Sequence, residues 1–120
     1  MIDLLRSLFG KSKYEVKRNS KEEWYFILKS SNGETVLVSE SYKNKSGATT
    51  GINSVRANAT DPDNFEIKES KDSKFYFVLK SKNGEVIGVS ETYNKKESAV
   101  KSINSLAKIS QTDRVNYPED

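Results

Sequence analysis

The sequence predicts an α+β fold: two tandem strand-strand-strand-helix repeats, related by a pseudo-twofold, that form one antiparallel sheet with both helices on one face. Three observations carry this reading. Residues 14–59 align with 65–110 at a constant offset of 51 without a gap, and nineteen of the forty-six aligned positions are identical. Within each copy the apolar residues first recur at every second place and then at helical spacing, the periods of a strand and a helix. The chain has 120 residues, enough for one core but not for two independent ones of ordinary size, so the copies must share an interior. Two copies are too few for a solenoid, and a closed pair resembling the isologous interface of a homodimer is expected instead. The divisions are an N-terminal segment 1–13, repeat 1 at 14–59, a linker turn 60–64, repeat 2 at 65–110, and a C-terminal strand and tail 111–120.

The N-terminal MIDLLRSLFGK sets Ile2, Leu5, Leu8 and Phe9 along one side. So short a helix is marginal alone, and docking against the domain is expected in preference to membrane anchoring. Each repeat opens on a short alternating strand, YEVKR from Tyr14 and FEIKE from Phe65. A longer strand follows, WYFILKS from Trp24 and FYFVLKS from Phe75, rich in the aromatic and branched residues that suit a pleated surface. Asn32-Gly33 and Asn83-Gly84 then offer two residues that tolerate positive φ, the signature of a two-residue hairpin turn into ETVLVS and EVIGVS. After Tyr42 and Tyr93 the helical spacing begins: Ala48, Ile52, Val55 and Ala59 in the first copy, Ala99, Ile103 and Leu106 in the second. Asn94 with Glu97 predicts a capping box for the second helix, and Asn44 or Ser46 a cap for the first. TDPDN at 60–64 marks a short turn, and DRVNY at 113–117 a final strand.

Parity along the long strands puts Trp24, Phe26, Leu28, Phe75, Phe77 and Leu79 toward the helices, with Val36, Val38, Ile87 and Val89 joining them across the hairpins. The opposite face then carries Tyr25, Ile27, Lys29, Leu37, Tyr76, Val78 and Lys80. That set is more apolar and aromatic than solvation requires, and it is the candidate binding surface.

Composition removes much chemistry. Cys and His are both absent, which deletes thiolate nucleophiles, disulfides, the commonest general base and the best transition-metal ligands. The glycines form neither GxxxxGK[ST] nor GxGxxG, so no nucleotide cofactor is expected. Asp61, Asp63 and Glu66 lack the spacing of a calcium loop and read as a solvated turn, so no metal is expected. A net charge of +3 is too small to imply nucleic acid by itself, although Lys and Tyr interleave on the long strands. No apolar run approaches a membrane span, no cleavable leader is evident, and the chain reads as cytoplasmic and monomeric.

The twice-written SExY segment supplies Glu40, Tyr42, Glu91 and Tyr93. A buried Glu acting as base with a Tyr as proton donor is one reading. The structural reading is preferred: a carboxylate near a helix N-terminus accepts orphan N–H groups, and the Tyr roofs the core edge. Asn53 and Asn104, recurring inside the helices, are expected to hydrogen-bond toward the partner repeat.

VSESYKNKSGATTGINSVRANA at 38–59 and FYFVLKSKNGEVIGVSETY at 75–93 resemble the YegP-like family of small bacterial proteins, over nearly all of the chain after residue 13. Ser39, Glu40, Tyr42, Gly51, Ile52, Ser54 and Val55 carry the likeness in copy one, and Ser90, Glu91, Tyr93, Ile103 and Ser105 in copy two. Copy two departs at Ser102 for the glycine and Leu106 for the valine. The resemblance implies tandem copies or paired single copies around a shared sheet, with terminal strands exchanged between halves, and it implies no catalytic residue. The resulting expectation is a non-catalytic module that binds a protein or small ligand through its sheet face. The alternatives are weak single-stranded nucleic-acid binding and, less favoured, an enzyme using the Glu and Tyr of SExY.

Overall fold

A computed structural model describes residues 12–119. Repeat 1 supplies β1 (Lys13–Arg18), β2 (Trp24–Lys29), β3 (Thr35–Ser39) and helix α1 (Lys45–Asn58). One 3₁₀ turn, Pro62–Asn64, leads into repeat 2: β4 (Phe65–Glu69), β5 (Phe75–Lys80), β6 (Val86–Val89) and helix α2 (Lys96–Ile109). A last strand, β7 (Val115–Asn116), ends the described chain. The strands form one seven-stranded sheet in the order β4-β5-β6-β3-β2-β1-β7. All neighbours are antiparallel except β1 and β7, which run parallel. β7 follows repeat 2 yet lies on β1 of repeat 1, so a terminal strand crosses between halves. The amphipathic stretch at 2–9 lies outside the described residues.

The hairpin loops differ from the two-residue turn that Asn-Gly suggests. Ser30 N–H donates to the Glu34 carbonyl at 2.9 Å and Gly33 N–H to the Ser30 carbonyl at 3.0 Å, which makes a three-residue loop. Only the glycine has positive φ, 85° at Gly33 and 87° at Gly84. Asn32 stays at negative φ, and its side chain accepts from Glu34 N–H at 3.2 Å. The β1–β2 and β4–β5 hairpins use the same hydrogen-bond pattern, with Glu22 (φ 62°) and Ser73 (φ 65°) in the left-handed place of the glycine.

A bulge in β3 overturns part of the expected face assignment. Leu28 pairs with Leu37 but Lys29 pairs with Thr35, so Val36 and Leu37 together oppose one position of β2. The extra residue reverses parity beyond it. Leu37, expected on the open face, is buried in the core, whereas Val38, expected in the core, pairs with Ile27 on the open face. The second repeat has the same shift between Leu79 and Lys80, which leaves Ile87 in the core and moves Val89 to the open face opposite Val78. Phe26, Leu28, Phe77 and Leu79 are fully buried as expected; Trp24 and Phe75 pack at the rim, Trp24 beneath the Arg18 guanidinium at 4.7 Å.

Both helices lie on one face. Ala48, Ile52, Val55 and Ala59 are buried beneath α1, and Ala99, Ile103 and Leu106 beneath α2. α1 packs on β2 and reaches across onto β5 and β6, while α2 packs on β5 and β4. Asn44 caps α1 by accepting from Gly47 N–H at 2.8 Å. The capping box expected for α2 does not form: the helix begins at the same offset as α1, so Lys95 stands at the N-cap, without a side-chain hydrogen bond. Asp61 caps the linker turn, accepting from Asp63 N–H at 3.0 Å.

The end of α2 is stitched to the first strand. The Tyr14 hydroxyl donates to the Ser110 carbonyl at 2.7 Å, and the Thr112 hydroxyl to the Ser12 carbonyl at 2.8 Å. Arg56 of α1 donates to the Thr112 carbonyl at 2.9 Å and lies 5.3 Å above the Tyr14 ring. Burial raises the Tyr14 hydroxyl well above the ordinary phenol range, against a smaller opposing pull from Arg56.

Two outcomes follow from this shared interior. A chain ending at residue 64 loses the strands that α1 covers in the second repeat, and it is expected to be unfolded or to pair with a second copy. Circular dichroism with sedimentation checks this, and a compact monomer contradicts it. Because the folded pKa of Tyr14 is raised, its contribution to stability is complete below the ordinary phenol value of about 10 and lost as pH climbs toward the folded value. Tyr14→Phe should therefore flatten the alkaline fall in unfolding free energy. At neutral pH it should cost about 1–3 kcal/mol, since the buried Ser110 carbonyl loses its donor.

Candidate functional site

On the sheet face opposite α1 and α2, helix-free among the described residues, the registers align four apolar side chains in one row across the central strands: Ile27 opposite Val38, Val38 opposite Val89, Val89 opposite Val78. Glu15 on β1 and Glu66 on β4 close the row at its two ends. Antiparallel pairing puts Tyr25 and Tyr76 at diagonal corners of this row, and Lys29 and Lys80 at the other two corners. Ile27 and Val78 are only 9 % and 6 % exposed although no helix of the described residues covers them; Val38, Val89, Tyr25, Tyr76, Lys29 and Lys80 are half-buried.

Four of the five lysines of this face are paired, Lys68 being the fifth. Glu15 lies 3.3 Å from both Lys13 and Lys29 and 3.7 Å from Lys17. Burial opposes ionisation of Glu15, but hydrogen bonds and charge from Lys13 and Lys29 outweigh it and hold the carboxyl below its ordinary range. The Lys80 ammonium donates to Glu66 at 2.8 Å and lowers that carboxyl in the same way. Six of the seven residues expected on this surface are thus present; Leu37 belongs to the core. Sequence parity missed Val38 and Val89. The signal was faint: Gly88, at Leu37's place in the second copy, has no side chain to report which way it points.

At the SExY corners the side-chain acceptor is the serine, and it takes a strand N–H where Glu40 and Glu91 were expected to take those of the helix N-termini. Phe26 N–H donates to the Ser39 hydroxyl at 2.8 Å, and that hydroxyl donates onward to the Glu40 carbonyl at 2.8 Å. Ser90 repeats this with Phe77 N–H at 2.9 Å and the Glu91 carbonyl at 2.7 Å. Glu40 and Glu91 themselves are exposed. Tyr42 exchanges two backbone hydrogen bonds with Trp24 at 2.6 and 2.7 Å, and its ring stacks on Phe26 at 6.4 Å. Burial first, and the Glu40 charge second, raise its hydroxyl above the ordinary range. Tyr93 stacks on Phe77 at 6.4 Å and donates its hydroxyl to Ser102 at 2.8 Å. In the first copy the Tyr42 hydroxyl lies over Gly51, which has no Cβ to meet it, whereas in the second the matching Tyr93 hydroxyl meets the Ser102 hydroxyl. Asn53 accepts from Arg56 of its own helix at 3.1 Å, not from the other repeat, and both Asn53 and Asn104 are exposed.

Between Tyr42, the start of α1 and the β5–β6 hairpin lies a groove of about 500 Å³, with Glu40, Gly51, Glu85 and Val86 in its lining. It brings an SExY carboxylate near a Tyr and is also lined by the hydroxyl residues Ser46, Thr50, Ser54 and Ser81, but no Lys or Arg lines it and, among the described residues, no hydrogen bond joins the Glu40 carboxylate to Tyr42 or to any of those hydroxyls, so no base is positioned on a nucleophile.

Comparison with known proteins gives consistent results. The pattern described as "Domain of unknown function (DUF1508)" matches twice, over residues 19–66 and 70–116. The UPF0339 protein plu2779 of Photorhabdus laumondii is 48% identical over 95 residues, 79% of this chain and 83% of that protein. The UPF0339 protein YegP of Escherichia coli K12 is 40% identical over 93 residues, 78% of this chain and 84% of that protein. The solution NMR structure of E. coli yegP, titled a protein of unknown function, superposes with a TM-score of 0.84 at 36% identity, covering 89% of this chain and 92% of that one. That of UPF0339 protein SO3888 from Shewanella oneidensis gives 0.83 at 34% identity, covering 89% and 91%.

The corner geometry separates the two residues of the motif. Ser39→Ala should cost about 1–2 kcal/mol, because Phe26 N–H loses its acceptor, whereas Glu40→Gln should stay within about 0.5 kcal/mol of the parent. Urea titration of the two variants checks this.

Proposed function

We propose a binding function for this chain, which belongs to the family described as a domain of unknown function (DUF1508): a non-catalytic module that engages another protein through the helix-free face of its sheet. The observation that carries the proposal is the in-register row Ile27, Val38, Val89 and Val78 flanked by Tyr25 and Tyr76. With strands about 4.8 Å apart, four of them place such a row along about 14 Å, a span that suits the side chains of a partner element better than a small ligand. The Tyr rings supply rigid amphipathic area of the kind that interfaces favour. The paired Lys29 and Lys80 supply a rim whose charges are already compensated by Glu15 and Glu66. A non-catalytic reading is supported by the exposed positions of Glu40 and Glu91 and by the structural engagement of Tyr42 and Tyr93.

The second reading, single-stranded nucleic acid, draws on Lys13, Lys17, Lys29, Lys68 and Lys80 interleaved with Tyr25 and Tyr76 on the same face. Phosphates there must compete with Glu15 and Glu66 for four of the five lysines, which disfavours it.

The test compares the intact protein with Tyr25→Ser/Tyr76→Ser and with Glu97→Ser/Lys101→Ser, a control on the exposed side of α2. A protein captured from native lysate should be retained by the parent and the control and lost from the Tyr pair, with the fold of each variant checked by thermal melting. Equal capture by all three overturns the reading. Labelled oligonucleotide titrated at two salt concentrations tests the second: binding that weakens with salt and disappears in the Tyr pair replaces the protein reading with the nucleic-acid one.

A further inference from the structure

The offset of 51 makes β4 the counterpart of β1, yet the two edges of the sheet are finished differently. On β1 the outer edge is covered by β7, with Val115 beside Tyr14 and Asn116 beside Glu15, and Tyr14 N–H donates to the Arg114 carbonyl at 2.9 Å. The covering segment continues onto α1: the Lys45 ammonium lies 4.4 Å over the Tyr117 ring, and the Tyr117 and Thr49 hydroxyls are 2.9 Å apart. On β4, among the described residues, no strand follows at the outer edge. Phe65 N–H is taken by the Pro62 carbonyl, which stands where the Arg114 carbonyl stands on β1. The Phe65 carbonyl and the Ile67 N–H are the next groups along that edge, and both side chains pack half-buried against the core. The α2 positions matching Lys45 and Thr49 are Lys96 and Val100, both exposed, and Val100 at 41 % is among the few exposed large apolar residues of the described chain.

We propose that the outer edge of β4, with Lys96 and Val100, is a docking site for an extended segment of a partner protein. The segment runs parallel to β4, with a branched apolar residue beside Phe65 and an aromatic residue two places on, lying over Lys96 and against Val100. Its chemistry is read from the chain's own occupant of the matching site, Val115-Asn116-Tyr117 on β1, Lys45 and Thr49. The backbone supplies two hydrogen bonds: the middle residue of the segment donates to the Phe65 carbonyl and accepts from Ile67 N–H, as in any strand added to a sheet edge. An aromatic ring at that place gains the cation above it and the apolar contact that Val100 offers in place of the Thr49 hydroxyl. Charges at Glu66, Lys68 and Glu69 guard the edge against indiscriminate pairing, but three charges at the matching places of β1, Glu15, Lys17 and Arg18, do not prevent β7 from docking. This surface is separate from the helix-free face.

The probe is the capped peptide Asp-Arg-Val-Asn-Tyr-Pro, the sequence of residues 113–118, titrated into the intact ¹⁵N-labelled protein. Amide shifts are expected at Phe65, Ile67, Lys96 and Val100. Val100→Asp should weaken binding by about tenfold or more, as should Ser in place of the peptide's Tyr. Val100→Thr, which copies Thr49, should retain it, and thermal melting confirms that both variants fold. Tyr25→Ser/Tyr76→Ser should leave the peptide's affinity unchanged, so failure of the sheet-face reading and failure of this one are distinct results. The proposal is overturned by the absence of shifts at millimolar peptide, by shifts confined to β1 and β7 where the peptide would displace its own counterpart, or by Val100→Asp binding as the parent does.

Discussion

The two repeats join as a sheet through two residue pairs, Val38 with Val89 and Ser39 with Gly88, and that seam depends on one side chain occupying space that two cannot. A Cβ at Gly88 would come within 2.9 Å of the Leu37 side chain and within 2.9 Å of the Val38 carbonyl. Leu37 and Gly88 hold the same place in their repeats, so two leucines there would meet across the axis. Leucine at both places is therefore excluded. The repeats differ there while Val38/Val89 and Ser39/Ser90 are the same in both, and the single leucine fills the core without overpacking it. With the seam closed, α1 extends over β5 and β6, and the two halves become one interior.

The open face is a consequence of the same seam. The bulges before Leu37 and Gly88 turn Val38 and Val89 outward, and the pairing of β3 with β6 brings those two valines together between Ile27 and Val78. Neither repeat alone has a row of four. Polar satisfaction follows a matching logic: Glu15 and Glu66, at the ends of the row, neutralise Lys29 and Lys80 at its corners. The result is an apolar strip, nearly buried at Ile27 and Val78, with compensated charges beside it, which limits nonspecific attraction of phosphates.

Repetition made most of the fold legible in the sequence. Period-two segments gave the strands, helical spacing gave α1 and α2, and DRVNY gave β7, because each is a local pattern enforced by burial on one face. Three features escaped. The bulge inserts one residue without any local marker, so counting by two carried Val38 and Val89 to the wrong face and Leu37 with them. Asn-Gly in these loops is followed by a hydrogen-bonded Glu34 or Glu85, and the loop has three residues because the Asn side chain supports it from negative φ. Asn94 was read as a cap from its neighbourhood, but the copies keep their register, and Lys95 matches Asn44. The open surface was found in outline from Tyr25, Ile27, Tyr76 and Val78, whereas the edge of β4 shows itself only when the two ends of the sheet are compared.

The bonds from Tyr14 to Ser110 and from Thr112 to Ser12 span 96 and 100 residues of chain. Vectorial synthesis gives that span a duration. At roughly 5–20 residues per second, β1 leaves the ribosome roughly 5–20 s before the segment that seals its outer edge is made. β1 pairs with β2 within a dozen residues, as β4 does with β5, so it is only the outer edge of β1 that waits. For that interval the nascent first repeat presents an unsealed border and a phenol whose acceptor does not yet exist, the period in which a chaperone has the most to shield.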